Sequence, residues 1–229
     1  MIKLIRLEWK TNRIGRYIRN AVIMTAALFA FSLLTAPEMS AMDTVAAYGR
    51  SMMSAMVDLL THMAYMIFTG VMLATFIVGA YENRTMNLLF SYPVKRKKIL
   101  AAKMLAVWIF NYVALVISKL AIYAGLFATS SVTHISASDI RPGRTSFYLN
   151  ILISSGVMVS ISFIALLIGM KLHSSKTVIV AAVILTLFTQ GNIGEFTLSG
   201  SVPFYGVLML LSIAAVALLV SDVEKRDVM

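Results

Sequence analysis

Charged residues make up 13% of the 229-residue chain and hydrophobic ones 59%, where a soluble domain of this length would carry about a quarter charged residues. That deficit points to lipid rather than a large aqueous core, and the absence of cysteine excludes disulfides, thiolate metal sites and a cysteine nucleophile. A formal net charge of +10 would suit nucleic acid, but its placement along the chain argues for no nucleic-acid partner.

Residues 2–19 read as a basic amphipathic helix. Leu4, Leu7, Ile14 and Ile18 share one helical face, with Thr11 between them, while Lys3, Arg6, Lys10 and Arg13 recur at three- and four-residue steps beside it. Such a helix is expected in the headgroup layer, its cations near anionic membrane lipid. The plainer alternative is a charge flank for the first span. The basic region runs through Arg19 and no convincing small-x-small cleavage site follows, so the start does not read as a cleavable signal.

Six apolar stretches follow, read as helices because strands would alternate. They cover about residues 20–36, ended by Pro37, then 57–80, 104–129, 149–170, 177–190 and 203–220. A bilayer core of ~30 Å takes roughly 20 helical residues. The second, third and fourth stretches span easily, the first and sixth suffice with flanking residues, and the fifth is too short to cross alone. With the N-terminus inside and six crossings, 16 of the 20 Lys and Arg fall on the inner side. Arg50, Arg141 and Arg144 fall outside, and Lys119 lies within a span. That asymmetry predicts cytoplasmic N- and C-termini. The outer segments are too short to fold alone, and no repeat or soluble linker appears, so residues 1–229 read as one membrane domain.

The longest polar and basic interruption is residues 81–104, YENRTMNLLFSYPVKRKKILAAKM. Glu82 closes the preceding apolar run, Thr85 can cap a short helix, and Leu88, Leu89 and Phe90 give that helix an apolar face. Pro93 disfavours helix at Tyr92, so the segment ends near Ser91, and Lys95, Arg96, Lys97 and Lys98 open the next helix. A soluble partner can grip such an element. The other reading is a solvated basic loop.

Groups able to carry chemistry are sparse. His62, His134 and His173 lie far apart, and no HExxH, GxSxG, paired-acid metal motif or P-loop occurs. No catalytic, cofactor or metal residues are assigned, and the chain is not expected to be an enzyme. Lys119 sits near the middle of the third span, where an isolated cation costs at least ~2.5 kcal/mol. It either faces an interior pathway or a carboxylate, or snorkels to a surface. Asp58, His62, Tyr65 and Thr69 form a polar stripe on the second span, lining a cavity or satisfying bonds between helices. Met52, Met53, Met56, Met63 and Met66 cluster nearby, suited to apolar ligands or to ordinary lipid contact and packing. Glycines and Glu195 in residues 190–203 suggest a chain that bends back near the outer surface.

With this topology, the interruption resembles a family pattern, acid-x-x-Thr-x-x-Leu-Leu-x-x-x-Pro-x-x-Arg and a later Lys. It is matched by Glu82, Thr85, Leu88, Leu89, Pro93, Arg96 and Lys103. The pattern is similar to that of the permease subunits of type-2 ATP-binding-cassette exporters, and the likeness covers essentially the whole chain. The resemblance implies an all-α integral membrane fold, with six transmembrane helices, an interfacial N-terminal helix and a short cytoplasmic coupling helix. It also implies a hairpin before the last span, which residues 191–202 would supply.

By the same resemblance the chain hydrolyses no ATP itself. A separate nucleotide-binding ATPase subunit, with ATP and Mg, would dock on Thr85, Leu88, Leu89, Phe90 and Pro93. A second permease copy, identical or not, would sit beside it in a bacterial plasma membrane. The small size is similar to exporters of antimicrobial or amphipathic peptides, including lantibiotic-immunity and phenol-soluble-modulin systems. Lys119, Asp58 and His62 are the candidate pathway residues. The competing readings are a stand-alone channel or secondary carrier, for which Lys119 is one suitable mid-span group, and an embedded enzyme.

Overall fold

The computed structural model describes residues 2–41, 52–82, 96–133, 145–190, 192–193, 196–197 and 202–225. In chain order these form α1 (Ile2–Thr11), α2 (Ile14–Ala41), α3 (Met52–Leu73), a π-turn (Ala74–Val78), α4 (Gly79–Glu82) and α5 (Arg96–Thr133). There follow α6 (Thr145–Lys171), α7 (Ser175–Gln190), two-residue strands β1 (Asn192–Ile193) and β2 (Phe196–Thr197), and α8 (Val202–Lys225). Five helical runs are long and apolar enough to cross a membrane: Ile14–Ala36, Met53–Tyr81, Lys97–Thr129, Thr145–Lys171 and Pro203–Ser221. The protein is therefore a helical membrane protein. The fifth apolar stretch forms α7, a shorter helix of 16 residues, as its sequence led one to expect.

Two boundaries differ from expectation. The amphipathic segment is not one helix over 2–19, because α1 closes at Thr11 and Ile14–Arg19 belong to α2. Arg13 takes a left-handed φ of 50°, which a helix interior does not accommodate. The turn is held by Asn12, whose backbone N–H and side-chain amide both donate to the Glu8 carbonyl at 3.0 Å. Leu4 and Leu7 thus sit on a different helix from Ile14 and Ile18. Nor does Pro37 stop α2, which continues to Ala41. A proline inside a helix removes one backbone donor and bends the helix without necessarily ending it, and the Thr35 hydroxyl donates to the carbonyls of Phe31 and Ser32 in the turn before it. Beyond α7 the chain does reverse, with Asn192 opposite Thr197 and Ile193 opposite Phe196 in an antiparallel pair.

The chain forms two compact units. The first comprises Met1–Ile14, Tyr65–Tyr112 and Gly156–Met229; the second comprises Gly15–Ala64 and Val113–Ser155. In the first, Met66, Met158 and Ile161 centre a cluster that Leu185, Tyr205 and Leu208 cover. Small residues let its helices close up. A Cβ on Gly70 would strike that of Ala182, and one on Gly169 would strike Val178. Hydroxyls bind the same helices across their contacts, Tyr205 donating to the Thr189 carbonyl at 3.2 Å and Ser212 to the Ser160 carbonyl.

In the second unit, Ala36, Met53, Val57, Ile122, Tyr123, Leu126 and Ile151 form the core. Gly125 leaves room there for the ring of Phe29, and the hydroxyls of Thr25 and Ser118 pair. Three of the five methionines pack within the protein. Met53 and Met66 are buried in the two cores, while the sulfurs of Met56 and Met66 accept from Thr35 and Thr189 at 3.7 Å.

Candidate functional site

Within the second unit, α3 presents Asp58 and His62 one turn apart, and α5 brings Lys119 between them. The Lys119 Nζ lies 2.7 Å from Asp58 Oδ1 and 2.7 Å from His62 Nε2. It also donates to Ser154 Oγ of α6 at 3.3 Å. An ammonium has three N–H donors and accepts nothing, so each has an acceptor and Nε2 of His62 must offer its lone pair. The Lys119 side chain is fully buried, whereas that of Asp58 is 23% exposed. One turn along α5, the Tyr123 hydroxyl donates to Asp58 Oδ1 at 3.3 Å.

Snorkelling is thereby excluded for Lys119, which meets a carboxylate instead. The polar stripe divides. Asp58 and His62 serve the cation, Thr69 turns its hydroxyl back to the Tyr65 carbonyl at 2.7 Å, and the Tyr65 ring sits edge-on to Phe68. Among the described residues no three His, Asp or Glu side chains converge as metal ligands would. An ammonium, a carboxylate, an imidazole and two hydroxyls within hydrogen-bonding reach can exchange protons. They can also open to a competing charged group.

A second buried ion pair, in the first unit, escaped the sequence reading. Glu8 Oε2 lies 2.6 Å from Lys103 Nζ, and the two side chains are nearly buried. Next to it, the Trp9 indole N–H donates to the Ala106 carbonyl at 3.1 Å. Lys103 and Ala106 are one turn apart on α5, so a carboxylate and an indole from adjacent residues clasp α1 to that helix. Lys103 is therefore neutralised rather than a free inner cation. The available signal was Glu8 itself, the one acid among the cations of α1. Lys3, Arg6, Lys10 and Arg13 remain exposed.

The expected partner-contact residues Thr85, Leu88, Leu89, Phe90 and Pro93 lie outside the described residues. Among known proteins, the chain is 24% identical over 227 residues to one from Bacillus subtilis (strain 168) described as "Uncharacterized protein YcbO". The similarity covers 99% of this chain and 97% of that one. No protein-family model matches the chain. No solved structure matches it either.

Proposed function

We propose that the protein is the permease subunit of an ATP-driven bacterial exporter, moving amphipathic or antimicrobial peptides, or similar hydrophobic compounds, out of the cell or membrane. The observation that carries this reading is the clasp of Glu8 and Trp9 on Lys103 and Ala106. It ties the N-terminal helix to the start of α5, the helix that leaves the basic stretch resembling the family's coupling segment. A device for passing motion between a cytoplasmic partner and the membrane needs such a rigid joint. The reading entails six crossings, cytoplasmic termini, a plasma-membrane location, a separate ATPase subunit binding ATP and Mg, and a second permease copy. Only 11% of the α2 span and 17% of the α8 span are buried, which leaves surface for that copy beside lipid.

The test is co-purification with a soluble ATPase whose hydrolysis the permease alters. Burying one large apolar side chain is worth ~1.5–3 kcal/mol, roughly ten- to hundredfold in affinity. Leu89→Ser with Phe90→Ser should therefore release the ATPase or uncouple hydrolysis from transport, with membrane insertion unchanged. Neutralising Lys97 and Lys98 should do less. A double variant that binds its ATPase and exports normally makes the stretch a plain basic loop.

A second reading, a stand-alone channel or secondary carrier, draws on the buried Lys119–Asp58–His62 cluster, since intramembrane ionisable groups mark ion and proton paths. Ion or proton flux in liposomes holding this chain alone would favour it.

A further inference from the structure

The run from Met52 to Glu82 is α-helical except at Ala74–Val78, where a π-turn holds one extra residue. There the Gly79 N–H reaches back five residues to the Ala74 carbonyl. Ala74, Phe76, Ile77 and Val78 are buried, so water does not relieve the poorer geometry of a π-turn, a feature that occurs mostly as single turns and frequently at functional sites.

The first residue of α7 holds this turn. Ser175 Oγ donates to the same Ala74 carbonyl at 3.5 Å, longer than the roughly 2.5–3.0 Å usual for an O–H···O bond and so easily broken. A Cβ built on Gly79 would lie 3.4 Å from the Ala74 oxygen and 3.7 Å from Ser175 Oγ. Three groups thus meet at one point: the carbonyl that starts the turn, the residue that ends it and a hydroxyl from another helix. Ser175 is set there by a tight α6–α7 connection, in which His173 has a left-handed φ of 50° and the Ser174 N–H bonds to the Gly169 carbonyl at 3.2 Å.

We infer that the α3–α4 helix has two registers: the π register, held by Ser175, and a plain α register reached when that long bond opens. Passing between them turns α4 by ~100° and shifts it by ~1.5 Å relative to α3. No partner is needed for the two registers to exist. Their use in transport rests on the exporter reading, with α4 as the end that is driven.

The chain has no cysteine, so an introduced pair is its sole possible disulfide. Gly79→Cys with Ser175→Cys, in phosphatidylcholine–phosphatidylglycerol nanodiscs, should cross-link on mild oxidation, because the two positions lie within disulfide reach. In the α register the full chain beyond the turn is rotated by one residue, so residue 78 takes the place that residue 79 holds in the π register. Val78→Cys with Ser175→Cys should therefore cross-link at least roughly tenfold faster than Ala80→Cys with Ser175→Cys, which meets position 175 in neither register. Equal rates overturn the inference.

Ser175→Ala is a second arm that does not depend on the cysteine variants folding. Loss of the hydroxyl should speed hydrogen exchange of the 80–82 amides roughly two- to tenfold and leave the 156–166 amides of α6 unchanged. Unchanged exchange at 80–82 also overturns the inference. Both arms use this chain alone, so they stand or fall apart from the ATPase. With an ATPase in hand, the oxidised Gly79→Cys and Ser175→Cys pair should block transport and reduction restore it; transport at the reduced protein's rate overturns the use in transport.

Discussion

The ammonium of Lys119, fully buried, is held by the carboxylate and imidazole of α3 and a hydroxyl of α6. Removing one charge of such a pair leaves the other uncompensated, which costs more than removing both. Asp58→Asn should therefore destabilise the protein by about 3 kcal/mol, the low end of the range for broken buried pairs, since Asp58 is partly exposed. Asp58→Asn with Lys119→Met should recover most of that loss. Thermal unfolding in nanodiscs measures both, and purely additive losses mean that the pair is not coupled. Lys119→Leu separates structure from transport: a folded variant with altered transport marks a pathway residue, and one with normal transport marks a structural ion pair. Lys119 was legible in the sequence as a cost needing a partner, and Asp58 with His62 as one helical face. Their meeting was not legible, because membrane helices pair through small-residue fit and shared hydrogen bonds, with no hydrophobic seam to read.

At the scale of elements, the joints of the first unit are contacts that single atoms control. Gly70 faces the Ala182 Cβ on α7, too closely for any side chain. Gly70→Ala should cost about 1–3 kcal/mol through overpacking, and Ala182→Gly in the same chain should restore much of it. A thermal-unfolding series checks this, and a neutral Gly70→Ala would mean that the helices move apart freely. The α1 clasp predicts another outcome. Glu8→Gln strips the charge from its bond to Lys103, so hydrogen exchange across Ile2–Thr11 should rise roughly tenfold, the difference between a charge-assisted bond and a neutral one. No change would show that Trp9 and packing hold α1 unaided. Unbroken apolar runs revealed that long helices are present, because lipid demands such runs, but not their ends, α5 starting eight residues before the run 104–129. They missed the break at Arg13, a backbone event that arginine does not signal, and the π-turn, since an extra residue in an apolar run leaves its composition unchanged.

For the whole molecule, the placement of Lys and Arg predicts an orientation, and α7 decides the side on which the chain is then predicted to end. Its 16 residues span ~24 Å at ~1.5 Å per residue, against a core of ~30 Å. Length alone argues for a helix that turns back, but two observations argue that it crosses. Val180, Val183, Ile184, Leu187 and Phe188 are exposed along it, while Val178, Ala181, Ala182 and Thr186 are buried. One side thus offers hydrocarbon to lipid over nearly the full length. Lys225 and Arg226 would also fall on the outer side if α7 turned back, against the bias of the other cations. The missing length can be made up by local bilayer thinning and by Lys176, exposed at the start of α7, reaching to the headgroups. A reporter fused after Met229 should therefore be cytoplasmic, and one inserted near Ser138 external. If both are external, α7 re-enters and the chain crosses five times. If Ser138 is cytoplasmic and Met229 external, the whole orientation is reversed and the exporter reading falls with it.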